Sequence, residues 1–205
     1  MAPKNIKLIY FDSRGRAEGT RLVLAAAGQK YEDLRLSHEQ WEIEKPNTPF
    51  QQAPVLEVDG KRYGQSIAIA TYLAREFGLY GKSNLDGLQI DQVIQLAADF
   101  FNALVQSFRE KDEAKKEELQ KKFKEVEVPK YLGFLEKLLT ESGTGYFVGN
   151  SLTLADIWVY DLLYSFVSHK ALTTDGYPHI QELNKNVESN ENIKVYLATR
   201  KQTPF

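Results

Sequence analysis

The sequence of 205 residues contains no cysteine. This absence excludes disulfide scaffolds, cysteine-ligated zinc, iron–sulfur clusters and cysteine nucleophiles. Histidine is scarce, with only His38, His169 and His179, and these are not spaced as in an H-E-x-x-H metal motif. A glycine-rich phosphate loop and a G-x-S-x-G nucleophile motif are also lacking. We therefore expect no metal site and none of the familiar nucleotide-binding or serine-hydrolase sites.

Long apolar runs and an excess of one charge are lacking as well. No segment reaches the roughly 20 apolar residues of a membrane helix, and the beginning "MAPKNIKLIYF" lacks the apolar stretch of a signal peptide. The formal net charge is −2, so the composition favours neither nucleic acid nor a membrane surface as a partner. We expect a soluble, cytoplasmic protein of one or two compact domains.

Residues 1–79 alternate between strand and helix patterns. The pattern predicts a helix over 15–27 that Gly28 ends, and a second helix that Ser66 caps and Gly78 ends. The predicted strands lie in "IKLIYF", "YEDLRLS", "PVLEVDG" and "KRYG", the last two joined by an Asp-Gly turn. The order β-α-β followed by β-β-α predicts an α/β domain with a small mixed sheet.

Residues 80–87 read as a linker because Gly, Ser, Asn and Asp cluster there, and residues 88–205 read as an all-helical domain. Apolar residues recur every three or four positions over 88–108, with Asp99 on the polar side. Pro129 should kink or break a helix over 115–139. Thr153 and Asp156 have capping-box spacing, which predicts a structural role at the start of a buried helix.

Three motifs in this order resemble the cytosolic glutathione S-transferases: "QQAPVLEVDG", "GQSIAIATYLAREFGLYGK" and "FVGNSLTLADI". "LIYFDSRGRAEGTR" and "YEDLRL" resemble the sigma class in particular. The resemblance extends from residue 5 to the end of the sequence. It implies a thioredoxin-like N-terminal domain, a helical domain that contributes the hydrophobic substrate site and dimer contacts, a homodimer, and glutathione as co-substrate.

Tyr10 stands where the first predicted strand gives way to a helix. A thiol such as that of glutathione has a pKa near 8.5, and a hydrogen bond to its thiolate contributes roughly 1.5–3 kcal/mol, or about 1–2 pKa units. The resemblance places the catalytic tyrosine of the family at Tyr10 and sets Arg16, in "RGRAE", beside the thiolate. From the residues alone, a core tyrosine and a surface arginine remain alternatives.

The resemblance also implies the residues that bind the peptide. It implies a cis bond at Ala53–Pro54, so that the backbone of Ala53 pairs with the cysteinyl part of glutathione. The helix N-terminus at Ser66, with Gln65, would attract the γ-glutamyl carboxylate; alone, Ser66 is also a plain cap. The glycyl end would meet Trp41, Lys45 and Gln52.

Asp99 matches the family aspartate that reaches into the glutathione site of the partner subunit and meets the γ-glutamyl ammonium. As a lone acid on a polar helix face it could equally be a solvated surface residue. The second substrate, a small hydrophobic electrophile, is expected between the domains. The candidates for that site are Phe11, Arg16, Phe108, Tyr160 and Phe205, although aromatic residues at helical spacing more often belong to a core.

Conjugation of glutathione to hydrophobic electrophiles is the leading predicted activity. A glutathione-dependent prostaglandin isomerase is an alternative, known among sigma-class relatives. The vertebrate synthases carry metal-binding acids beside Asp99 and a tryptophan on the same helix, where this sequence has Gln95, Ala98 and Gln106. A non-catalytic, crystallin-like protein is a third possibility, but the sequence has no long insertion in its helical region.

Overall fold

The computed structural model describes residues 5–168 and 171–203. By their contacts these divide into two compact units, which we call the sheet unit and the helical unit. The sheet unit combines the residues up to Tyr80 with the segment that starts at Glu188, and the helical unit is Gly81–Val187. The predicted boundaries placed residues 188–205 with the helices, whereas the contacts of residues 188–203 group them with the sheet.

Four strands form a mixed sheet in the order β2-β1-β3-β4. They are β1 (Ile6–Phe11), β2 (Glu32–Leu36), β3 (Val55–Val58) and β4 (Lys61–Gly64). β1 is parallel to β2 and antiparallel to β3, and β3 pairs antiparallel with β4. The predicted βαβ–ββα order and the Asp59–Gly60 turn are confirmed.

The first helix follows a short 3-10 turn, Gly15–Ala17, and α1 then covers Glu18–Ala26. Gly28 ends the helix, as predicted. It has φ +62°, a left-handed conformation that glycine adopts without the steric cost of a side chain. α1 packs against α3 (Ser66–Glu76) and against the last helix of the described chain, Glu191–Thr199. Three helices far apart in the sequence therefore meet within the sheet unit.

The segment between β2 and β3, which includes "EQWEIEKP", is largely helical, although no helix was predicted there. It forms α2 (His38–Glu44) and a 3-10 turn, Lys45–Asn47. Ser37 and Gln40 make a reciprocal capping box, in which each side chain accepts a hydrogen bond from the other residue's backbone N–H. That S-x-x-Q spacing was a readable start signal.

The predicted cap of α3 was also wrong. Ser66 is the first residue inside the helix, and Gln65 is the N-cap, with φ +74° and no side-chain cap. The chain leaves β4 at Gly64 and must reverse at once, so the sharp turn falls on Gln65. The predicted end is confirmed, because Gly78 follows the helix with φ +74° and the N–H of Leu79 bonds the carbonyl of Ala74.

The helical unit begins inside the predicted linker. α4 covers Asn84–Arg109, because Ser83 and Asp86 form a capping box just before the periodic residues. The helices that follow are α5 (Glu113–Lys122), α6 (Val128–Ser142), α7 (Leu154–Ser168) and α8 (Pro178–Ser189). The last two residues of α8 already belong to the sheet unit, as does the final helix, α9 (Glu191–Thr199).

The interruption predicted at Pro129 is present as a π-helical turn, Phe123–Glu127, immediately before α6. The core beside it is aromatic. Phe100 stacks on Phe123 and Tyr131 at ring distances of 5.6 and 4.9 Å, and Phe166 meets it edge-on at 5.2 Å. In the part of the chain that the structure describes, no helix combines the length and apolar character needed to cross a membrane.

Candidate active site in the sheet unit

One edge of the sheet gathers most of the predicted glutathione residues. β1, β2 and β4 all end at this edge, and β3 begins there. Val55 pairs with both Ile9 and Gly64, so Tyr10, Pro54 and Gln65 each stand one residue beyond the last pair of the ladders that β3 forms with β1 and β4. Side chains at such an edge can converge on one ligand.

Tyr10 is half-buried, and the start of the first helix fixes its hydroxyl. The backbone N–H of Arg16 donates a hydrogen bond to the Tyr10 oxygen at 3.1 Å. A phenol can accept one bond and donate another. Because the oxygen already accepts, its own proton is left to donate to a ligand. Arg16 itself is exposed, at the same turn.

Gly15 makes this contact possible. It has φ +42°, and a Cβ there would lie 2.5 Å from the Tyr10 oxygen. A side chain at position 15 would therefore displace either the loop or the phenol. No role was predicted for this glycine, which lies in the "RGRAE" motif.

Trp41 and Phe11 belong to a small core on one face of the sheet. Trp41 is 8% exposed and packs with Ile9, Leu36 and Val55, and Phe11 meets its indole edge-on at 5.5 Å. Phe11 also contacts the rings of Tyr10 and His38, at 5.6 and 5.3 Å.

Lys45 lies at the 3-10 turn after α2 and is half-buried. Its carbonyl accepts hydrogen bonds from the backbone and the hydroxyl of Thr48, at 3.2 and 2.8 Å. Within the described residues its ammonium forms no ion pair. A half-buried ammonium of this kind can pair with a ligand carboxylate.

The bond between Ala53 and Pro54 is cis, as the resemblance implied. Pro54 is buried and β3 starts directly after it, while Gln52 is exposed. The backbone of Ala53 precedes the paired part of β3, so its N–H and C=O are not used in the ladder to β1 or β4.

The N-terminus of α3 adds donors at the same edge. The first amides of a helix lack intrahelical partners, and the helix dipole makes that end positive. Gln65 is exposed and has φ +74°, a strained conformation for a residue other than glycine. Ser66 is 8% exposed. The arrangement can bind a carboxylate.

The remaining predicted residues lie in the helical unit. Asp99 is exposed on α4, and Phe108, near the end of that helix, is 61% exposed. Tyr160 on α7 is 2% exposed and lies 6.0 Å from the ring of Tyr164, so it is a core side chain. Phe205 lies outside the described residues.

Thr153 and Asp156 have the structural role that the capping-box spacing indicated. Asp156 is fully buried and accepts hydrogen bonds from the backbone N–H and hydroxyl of Thr153, at 2.7 and 2.8 Å, and from the N–H of Phe147 at 2.8 Å. Burial raises the pKa of Asp156 to about 6, against the lowering effect of these bonds. The carboxyl ties the turn before α7 to the start of the helix.

A cluster of buried charges, which the sequence patterns did not predict, packs against the loop between β1 and α1. Arg21 and Glu18 are almost fully buried, and Asp33 and Arg35 on β2 are half-buried beside them. The i,i+3 spacing of Glu18 and Arg21 was visible, but nothing local indicated burial. Elsewhere, the described ranges contain no group of three His, Asp or Glu side chains placed to hold a metal ion.

The fold and this edge together define the class: a thioredoxin-like α/β domain followed by a helical domain. The glutathione S-transferase N-terminal domain model matches residues 6–75, and the C-terminal domain model matches residues 98–200. Glutathione S-transferase 1 of Ascaris suum is 42% identical over 97% of this chain and 98% of its own. The chain belongs to the glutathione S-transferase family and is a transferase.

Two solved structures extend the comparison. One is named prostaglandin synthase D of Nilaparvata lugens; it is 35% identical, has a TM-score of 0.90 and is matched over 97% of this chain and 100% of its own. A Nu-class glutathione S-transferase from Haemonchus contortus is 39% identical, with a TM-score of 0.87 and coverage of 98% and 99%. The likeness establishes the family, whereas the neighbours are not confined to one class.

Proposed function

We propose that this transferase ionises the thiol of glutathione with Tyr10 and conjugates the thiolate to hydrophobic electrophiles. The hydrogen bond from the Arg16 amide to the Tyr10 oxygen carries the proposal. It holds the oxygen in place and polarises the phenol, so the O–H is a better donor to a thiolate. The side chain of Arg16, at the same turn, adds positive potential that favours the ionised thiol.

The rest of the tripeptide would spread along the sheet edge. Ala53 pairs its backbone with the cysteinyl part, beside the cis bond to Pro54. The γ-glutamyl carboxylate sits at Ser66 and Gln65, at the N-terminus of α3. The glycyl carboxylate faces the half-buried ammonium of Lys45, with Trp41 and Gln52 nearby. On this proposal, residues 1–79 hold the glutathione site.

The active form would be a homodimer, because Asp99 is exposed in the helical unit and would meet the γ-glutamyl ammonium of a partner. An apolar groove on the sheet unit is a candidate contact surface for a second copy of this chain. Its rim carries Phe50 at 58%, Tyr63 at 51% and Tyr72 at 37% exposure. Large aromatic side chains grouped in this way are typical of protein–protein contacts.

The second substrate is proposed to be a small apolar electrophile. The residues proposed to bind it are Phe11, Arg16, Phe108 and Phe205, whereas Tyr160, predicted for the same site, is a buried core side chain. The thiolate sulfur forms a bond to an electrophilic carbon. In an addition that carbon then takes up a proton, and in an aromatic substitution a halide ion leaves. A cytoplasmic location and membership of the sigma class belong to the same proposal, and the "RGRAE" and "YEDLRL" motifs support the class.

Prostaglandin isomerisation is the second candidate, because a structure named prostaglandin synthase D has a TM-score of 0.90 to this chain. Gln95, Ala98 and Gln106 argue against the metal-assisted form of that activity. Incubation with a prostaglandin endoperoxide and glutathione would detect it. A protein without turnover in either assay would fit the crystallin-like alternative.

The test compares wild type with Tyr10→Phe in conjugation of glutathione to a chlorinated nitroaromatic. We expect the variant to keep glutathione affinity and to lose about 10- to 100-fold in turnover, the equivalent of one charge-assisted hydrogen bond. Tyr177→Phe, a tyrosine of the helical unit, is the matched control and should be fully active. Full activity of Tyr10→Phe would refute the assignment.

A further inference from the structure

Arg21 is fully buried, at 0% exposure, in the middle of α1. A guanidinium is costly to remove from water unless charges and hydrogen bonds compensate it. A buried ion cluster is therefore weak evidence that the cluster stabilises the folded protein. The contacts of Arg21 point instead to a role in holding a neighbouring segment in place.

The Arg21 guanidinium spans two carboxylates. Its Nε donates to both oxygens of Asp33 on β2, at 3.2 and 3.1 Å, and its Nη1 donates to Glu18 Oε2 at 3.2 Å. Asp33 also accepts a hydrogen bond from Arg35 at 2.9 Å. These contacts hold Nε and Nη1 of the guanidinium between a carboxylate on β2 and one on α1.

The same guanidinium holds the backbone of the loop that carries the site. Nη1 donates to the carbonyl of Ser13 at 2.7 Å and, more weakly, to that of Arg14 at 3.4 Å. The next two residues are Gly15, which packs on the Tyr10 hydroxyl, and Arg16, whose N–H donates to it. Arg21 thus anchors the two peptide units that lead into the Tyr10 contact.

The C-terminal segment holds this cluster from its other side. Glu18, at 1% exposure, also accepts hydrogen bonds from the hydroxyl of Tyr196 at 3.0 Å and from Arg200 at 2.8 Å. Asp12, in the same loop, pairs with Arg35 and with Lys201. The loop between β1 and α1 is therefore fixed by charges drawn from β2, α1 and the end of the described chain.

We propose that Arg21 is a positioning residue for thiol activation, acting through the Ser13–Arg16 backbone on the hydroxyl of Tyr10. The inference rests on the proposed role of Tyr10. Arg21 is fully buried, so we assign it a positioning role and not a catalytic one. Hydrogen bonds weaken steeply with misalignment, and small displacements of a catalytic group cost large factors in rate. A loosened loop would leave Tyr10 present but poorly aimed at the thiolate.

Lysine is the informative replacement, because it keeps the charge and loses the planar fork of donors. A single ammonium cannot bridge Asp33, Glu18 and the Ser13 carbonyl with the same geometry. In Arg21→Lys we expect the thiol pKa of bound glutathione to rise by about 0.5–1 unit. We expect the KM for glutathione to change by less than about threefold, because the peptide-binding residues lie elsewhere along the edge.

The experiment measures thiolate absorbance of the glutathione complex, and kcat/KM, as functions of pH for wild type, Arg21→Lys, Tyr10→Phe and the double variant. If Arg21 acts through Tyr10, the lysine substitution shifts the thiol pKa in the wild-type background and has little further effect in the Tyr10→Phe background. Additive shifts in the two backgrounds would overturn the proposal.

Two further variants separate positioning from folding. Leu132→Ala removes a fully buried side chain of the helical unit, so it should lower Tm without moving the thiol pKa. Asp33→Asn keeps the shape and one acceptor for Nε, and it should shift the thiol pKa in the same direction by a smaller amount. It also serves as the test if Arg21→Lys does not fold, and an unchanged thiol pKa in a folded Asp33→Asn would then overturn the proposal.

The outcomes distinguish this inference from the proposed function. A wild-type complex with no lowered thiol pKa would refute the role of Tyr10 and the inference with it. A lowered thiol pKa that Tyr10→Phe abolishes and Arg21→Lys leaves unchanged, with a reduced Tm, would refute the inference alone and leave Arg21 as a structural residue.

Discussion

The hydroxyl of Tyr10 occupies the space beside the α-carbon of Gly15: a Cβ at position 15 would lie 2.5 Å from the phenolic oxygen and 3.0 Å from the ring carbon Cε1. Both residues meet at the turn where β1 gives way to α1. Only glycine combines φ +42° with this close approach. The proposed catalytic group is thus located by a residue that has no side chain.

Gly15→Ala should disable the site more than it destabilises the protein. The added methyl group must push the phenol or the loop aside, so we expect at least about a tenfold loss in kcat/KM together with a higher thiol pKa of bound glutathione. Gly60→Ala is the control, because Gly60 has φ +84° with nothing within 4 Å of the added Cβ. It should carry the same backbone penalty, about 1–2 kcal/mol, and leave activity intact. Equal activity in the two variants would contradict the steric account.

Arg62 offers a contrasting prediction on glutathione affinity. It pairs with Glu44 and bonds Glu57 Oε2 at 3.0 Å and the Asn47 carbonyl at 3.3 Å, which ties the turn around Lys45 to β4. In Arg62→Gln we expect a several-fold higher KM for glutathione, with kcat and the thiol pKa nearly unchanged.

The control for Arg62 is Lys7→Gln, which removes the ion pair between Lys7 on β1 and Glu32 on β2. This pair contacts neither the turn around Lys45 nor the loop between β1 and α1. The variant should leave the KM unchanged, since an exposed pair contributes little. A fall in kcat at unchanged KM for Arg62→Gln would show that the Lys45 turn is not a binding element.

Asp99→Asn should weaken glutathione binding by about 10- to 100-fold, the equivalent of a charge-assisted hydrogen bond to the γ-glutamyl ammonium. The measurement is calorimetric titration with glutathione. Asp91→Asn removes an acid from the same helix two turns earlier and should bind normally. Unchanged affinity in Asp99→Asn would remove Asp99 from the site.

Mixed dimers test whether Asp99 acts across subunits. A Tyr10→Phe chain supplies an intact Asp99, and an Asp99→Asn chain supplies an intact Tyr10. Refolded together, the two chains should form mixed dimers in which one of the two sites is complete. Each mixed dimer should therefore have about half of the wild-type activity. A mixture no more active than its separate components would contradict action in trans.

The buried carboxyl of Asp156 predicts a pH dependence of stability. Its pKa is raised from 3.8 to about 6 by burial, so between these values the folded protein holds a proton that the unfolded chain has lost. The stability from this proton is complete below about pH 4 and is lost as the pH rises through about 6. The change is on the order of 2–3 kcal/mol.

Urea unfolding of wild type and Asp156→Asn from pH 7.5 to 4.5 measures this effect. Asparagine does not titrate and mispairs with the N–H donors, so the variant should be less stable throughout, and the gap should widen as the pH falls. A gap that narrows would mean that the folded protein keeps Asp156 ionised. Asp112→Asn, at the exposed N-cap of α5, should cost under about 0.5 kcal/mol because asparagine caps equally well.

Local signals were reliable wherever neighbours along the chain decide the structure. The positions of the four strands, the Asp59–Gly60 turn and the stops at Gly28 and Gly78 all depend on residues a few positions apart, and all are confirmed. The same kind of signal was present but overlooked at α2, where Ser37 and Gln40 form a capping box. The late start assigned to α4 had the same cause, because the Ser83–Asp86 box was not read.

Other features depend on residues that only the folded chain brings together. The conformation of Gln65 follows from the abrupt exit from β4, and the pairing of Val55 with Ile9 and Gly64 is what aligns Tyr10, Pro54 and Gln65 at one edge. The sequence contains these residues but does not show how the strands that carry them are aligned with one another. Register is set by a whole buried face at once, so no short segment contains it.

The sequence by itself determined the order of elements, the family motifs and the tyrosine at the first strand–helix junction, since these are carried by contiguous residues. The tertiary structure alone decided that Glu18 and Arg21 are buried, because their partners come from other elements. Arg200 reaches Glu18 across 182 positions of sequence, and burial reverses the ordinary expectation that such charges face water.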